Sequence, residues 1–90
     1  MIQVTAKRMS HTGYAHEHLT HVRWRNTESN ASEIISREDM IAWLRKPGNK
    51  AYVTDHVKTA EVGVVDARPP YLRTHADGYW NDNLLSLPNC

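Results

Sequence analysis

Ile35-Ser36-Arg37-Glu38-Asp39-Met40-Ile41-Ala42-Trp43-Leu44-Arg45-Lys46-Pro47-Gly48 is the stretch on which the fold turns. Ser36 offers a hydroxyl to cap a helix, Asp39 stands at the third helical position of a capping box, and Ile35 is placed to staple onto Met40. Met40, Trp43 and Leu44 fall at the i, i+3, i+4 spacing of one buried stripe, and Pro47-Gly48 stops the helix after Lys46. The spacing predicts a helix of about three turns with Trp43 inside.

Everything flanking this helix reads as strand. Upstream, Ile2, Val4 and Ala6 alternate with Gln3, Thr5 and Lys7, the period-two pattern of a half-buried strand. Ser10-His11-Thr12-Gly13 has turn composition, and His18–Arg25 is β-rich, with Val22 and Trp24 on one face and His21, Arg23 and Arg25 on the other. Asn26–Ser32 is polar and aperiodic and is expected to be a loop. Downstream, Lys50–Asp55 and Thr59–Asp66 predict an antiparallel pair, and Pro69-Pro70 sets off a further strand, Tyr71–Ala76. In it Leu72, Thr74 and Ala76 share one side and Tyr71, Arg73 and His75 the other, before a turn at Asp77-Gly78. The tail Asn83–Pro88 is apolar enough to fold back across the core. The expected fold class is therefore α+β: one domain over residues 1–90, a small, mostly antiparallel sheet of about five strands, and one helix packed on one face after the second strand.

Length and charge narrow the function. A chain of 90 residues supports a single core. A formal net charge of +1 gives no general attraction to nucleic acid or anionic lipid, so any such binding needs its cations gathered on one face. Each of the six histidines adds a positive charge on protonation, which makes partner choice sensitive to mild acid. The single cysteine, Cys90, excludes an intramolecular disulfide and favours a reducing compartment, and there is neither an apolar signal run nor a membrane-length segment. The expected location is the cytoplasm, with no membrane partner.

Thr20-His21-Val22, Ser36-Arg37-Glu38-Asp39, Tyr71-Leu72-Arg73-Thr74 with Asp77, and Asp82-Asn83-Leu84-Leu85 followed by Leu87-Pro88 and Cys90 together resemble a DUF3892-like family of small bacterial proteins classed as a domain of unknown function. The resemblance spans nearly the whole chain and is most specific in the C-terminal third. It implies a compact bacterial, plasmid-borne or phage-borne domain, and it brings no established activity and no catalytic residue. Capping, turn formation and core packing account for most of the shared residues without any function.

Three kinds of site compete in the remaining residues. His21, Arg23, Arg25, Arg73 and His75, with Tyr71 beside them, form one outward basic and aromatic face if the second and last strands are neighbours, able to hold phosphates and stack a base. Tyr79 and Trp80, in turn-like sequence, are candidate anchors for a protein partner. His16, His18 and His21 suggest a metal site, but on an extended segment His21 points away from the other two, so a third ligand must come from elsewhere, such as His75 or Asp77; no metal and no cofactor is expected. Catalysis has the least support, since no phosphate loop, dinucleotide glycine pattern, zinc-protease helix or nucleophile elbow is present. The expectation is a non-catalytic interaction module of bacterial or mobile-element origin, an inhibitor or adaptor whose partner is a protein. The alternative is a nucleic-acid-binding domain that uses the basic face.

Overall fold

The computed structural model describes residues 1–10, 18–54, 59–76, 79–81 and 83–90. In chain order they form β1 (Ile2–Met9), β2 (Leu19–Asn26), β3 (Ser32–Ser36), α1 (Arg37–Leu44), β4 (Ala51–Thr54), β5 (Thr59–Val65), β6 (Tyr71–Ala76) and β7 (Tyr79–Asn81), then a 3₁₀ turn over Asn83–Ser86. The strands make one seven-stranded sheet in the order β3-β2-β1-β4-β5-β6-β7. Every pairing is antiparallel except β1 with β4, where Ile2 lies beside Ala51 and Gln3 beside Tyr52. The α+β class holds, with more strands than the expected five or so. Both extra strands are short. β3 lies partly in the segment expected to be loop, and β7 lies in sequence of turn composition.

The parallel pair follows from the helix. β3 and β4 run in the same direction with β2 and β1 between them in the sheet, so the chain needs a crossover, and α1 lies within it. The helix thus follows the third strand, not the second. It begins where expected: Ser36 is the N-cap, and its Oγ accepts from the Asp39 amide at 3.1 Å. It is shorter than three turns, at 8 residues, because the chain turns at Arg45. There the Trp43 carbonyl accepts from the Asn49 side-chain amide at 2.9 Å, and Gly48 takes a left-handed φ of 83°.

α1 packs on β2, β3, β5 and β6, and its buried residues are Met40 and Ile41. The core beneath it unites Val4, Leu19, Val22, Ala51, Val53, Val62, Leu72 and Leu84. Leu72 and Thr74 are buried on the helix side of β6, the face the alternation assigns them. Trp43 is half-buried against this core, not enclosed within it.

Two irregularities in the β1–β2 ladder change which residues face inward. Val4 pairs with Trp24 and Ala6 with Arg23, so Thr5 is a bulged extra residue. Past it the alternation is inverted: Lys7, expected outward, pairs with the core residue Val22 and is only 9% exposed, while Ala6 shares a face with Arg23. A second shift skips Thr20 and sets Met9 opposite Leu19.

The tail does return, as its apolar residues predict. Leu84 is fully buried, and its amide donates to Thr74 Oγ1 at 3.3 Å. Asn89 bridges to Lys7, whose amide donates to the Pro88 carbonyl at 2.9 Å and whose carbonyl accepts from the Cys90 amide at 2.8 Å. The expected turns at His11–Gly13 and Asp77-Gly78 lie outside the described residues, as does His16.

Candidate functional site

An eight-residue helix is about 12 Å long, whereas seven strands at about 4.8 Å spacing span roughly 29 Å. One such helix leaves part of the sheet face uncovered. On the β2–β3 side the uncovered part is a groove of about 280 Å³ between sheet and helix, lined by Ile2, Trp24, Glu33, Ile35, Asp39, Met40 and Trp43. Register explains the wall: Trp24 lies opposite Glu33 and Val22 opposite Ile35, so Glu33 and Ile35 share the helix side with the tryptophan. From the helix, Asp39 in the first turn and Met40 and Trp43 one turn apart complete the lining. Both acidic residues are exposed, and no ion pair among the described residues engages either of them. The groove opens beside β3, which is an edge of the sheet.

The opposite face of the sheet carries the residues singled out from sequence. His21, Arg23 and Arg25 do point away from Val22 and Trp24: Arg23 and Arg25 are exposed, and His21 is half-buried with Nδ1 3.0 Å from Thr20 Oγ1. Arg8 joins them opposite His21, and the other register positions on this face of β1–β3 are Gln3, Ala6, Ser32, Ile34 and Ser36, none of them acidic. Arg25 donates to Asn30 Oδ1 at 2.6 Å, and Arg8 donates to the Cys90 carbonyl at 3.2 Å. The missing member of the expected set was thus Arg8, hidden because the Thr5 bulge reverses its face.

β6 is not a neighbour of β2. β1, β4 and β5 lie between them, a separation of about 19 Å across the sheet, so Tyr71, Arg73 and His75 form a second group and do not extend the first. His75 lies opposite Glu61 on β5, with Nε2 3.7 Å from Oε2. Tyr79 and Trp80 form β7 with Asn81, and Trp80 is in register with His75. Nδ1 of His18, from the suggested metal set, is 3.4 Å from Ser10 Oγ. Among the described residues no three His, Cys, Asp or Glu side chains converge as a metal site.

Among the described residues, the titrating group shifted by its surroundings is Glu38, in the first turn of α1. A hydrogen bond from the backbone at its own position is the main reason its carboxyl lies below the usual glutamate range; burial opposes it, and the Arg37 guanidinium 3.3 Å away and then the charge of His21 add to the lowering.

The family model for a protein of unknown function, DUF3892, matches residues 3–88, from the first residues of β1 to the tail that closes on it. The chain belongs to the DUF3892 family. No curated protein and no solved structure matches it. The DUF3892 match takes in both the groove and the basic face, and it brings no activity for either. No helix among the described residues is long and apolar enough to cross a membrane.

Proposed function

We propose that this DUF3892 chain is a non-catalytic protein-interaction module of bacterial or mobile-element origin, acting as an inhibitor or adaptor. The observation that carries the reading is the two-tryptophan groove opening beside the edge strand β3. An edge strand offers unpaired backbone groups to an extended segment of another chain, and alternate side chains of that segment then fall toward the groove. Tryptophan is enriched among the few pocket-seated residues that dominate binding energy in protein interfaces. A standard interface takes about 800 Å² from each partner, roughly a seventh of the 5781 Å² surface, so the partner covers the groove together with the β3 edge.

A second reading, nucleic-acid binding, is favoured by one observation: the acid-free row of Arg8, His21, Arg23 and Arg25 on the opposite face. Affinity capture from a native host with three baits separates the two. If the protein reading is right, one protein recovered with the wild-type chain is lost with Glu33→Arg and kept with the double variant Arg23→Glu/Arg25→Glu. Recovery of nuclease-sensitive material alone, lost only with the double variant, overturns it.

A further inference from the structure

We infer that the groove is a receptor for a single cationic side chain, a lysine or arginine presented by the partner; this rests on reading the groove as the docking surface. The lining divides cleanly by chemistry. Ile2, Trp24, Ile35, Met40 and Trp43 are apolar, and the two polar members, Glu33 and Asp39, are both acidic. Among the described residues, none in the lining is a cation or an amide. A neutral apolar side chain would satisfy the walls and offer the two exposed carboxyl groups of the rim no counter-charge. An anionic ligand would be repelled. An alkyl stem ending in a positive head meets every group: the stem lies against isoleucine and methionine, and the head reaches the indole faces and the acidic rim.

Size supports one side chain. At about 280 Å³ the groove falls just under the range of small-molecule and cofactor pockets, roughly 300–1,000 Å³. Tryptophan is the strongest of the aromatic partners for a cation, and two of the chain's three line this groove. The acids come from separate elements, Glu33 from β3 and Asp39 from α1, so the head enters between strand and helix.

The test is titration of the ¹⁵N-labelled full chain with Nα-acetyl-lysine amide, Nα-acetyl-arginine amide and Nα-acetyl-norleucine amide, following the three indole N–H signals. The expected result is saturable displacement of the Trp24 and Trp43 signals by at least one basic amide, about tenfold tighter than by norleucine amide. The double variant Glu33→Gln/Asp39→Asn brings the basic amide down to the norleucine value, with an unchanged melting curve reporting an intact fold. The ligand series on the wild-type chain decides the matter even if that variant unfolds. Equal affinity for norleucine and both basic amides overturns the cationic assignment while leaving an apolar docking groove in place. No displacement of the two indoles by any of the three overturns the groove itself, and the capture experiment then reports separately on protein binding.

Discussion

The Lys7 ammonium donates to the Leu87 carbonyl at 2.7 Å and to Asn89 Oδ1 at 3.0 Å from a side chain almost wholly inside the protein. A buried charge is tolerable only when such acceptors replace its water, and here the acceptors belong to the returning tail. Lys7→Met keeps the stem and removes the donor. It is expected to lower stability by about 1–2 kcal/mol, read from the urea midpoint. Gly48 makes a contrasting case at the same scale. A methyl group there meets nothing within 4 Å, so the cost of Gly48→Ala comes only from its φ of 83° and is expected to be about 1 kcal/mol. The turn glycine was legible from its place after Pro47. The role of Lys7 was not, because one bulged residue, Thr5, inverts a perfectly regular alternation without leaving a mark in the residue pattern.

Among the elements, α1 was the most legible, since its start rests on local chemistry. Ser36→Ala removes the cap on the Asp39 amide and is expected to cost about 1 kcal/mol in thermal or urea unfolding. The same turn sets a pH dependence. Glu38 has a depressed pKa in the folded state, so its contribution is present above the ordinary value of 4.5 and is lost as the pH falls through the lower folded value. Urea midpoints at pH 6 and pH 3 are expected to show a deficit for Glu38→Gln that shrinks with acid. A constant deficit would assign the effect to helix propensity. The two short strands escaped notice for different reasons. β3 has Ile34 and Ile35 flanked by serine and glutamate, and its alternation is too brief to outweigh the polar hairpin before it. That hairpin is tied rather than loose: Asn26 N–H donates to the Ala31 carbonyl and Asn30 N–H to the Asn26 carbonyl, each at 2.8 Å, with Asn30 at a left-handed φ of 61°. β7 is held by pairing with β6, a long-range reward that local composition does not record.

Across the whole molecule, helix and tail close on the same core, and both pack on β6. Leu84, from the 3₁₀ turn, is fully buried in that core, so Leu84→Ala is expected to cost about 2–5 kcal/mol and to loosen the tail from Lys7. Hydrogen exchange at the Cys90 amide, bonded to the Lys7 carbonyl, reports that loosening directly. Which face is basic was readable from strand alternation, but the separation of the β2 and β6 groups was not, because strand order is set by the crossover through α1. The groove was equally hidden. Trp24, Trp43, Ile35 and Met40 each read as core, and only the shortness of the helix against the width of the sheet leaves them a shared opening.

Site-specific photocrosslinking in a native host tests the location of selectivity most directly, with p-benzoylphenylalanine placed at position 31, an exposed residue leading into the β3 edge that leaves Glu33 and Asp39 intact, and, separately, at position 23 on the basic face. The proposal predicts a discrete protein adduct from position 31 that excess lysine- or arginine-bearing peptide suppresses. Adducts from position 23 alone, to nucleic acid or to protein, with none from position 31, would contradict it.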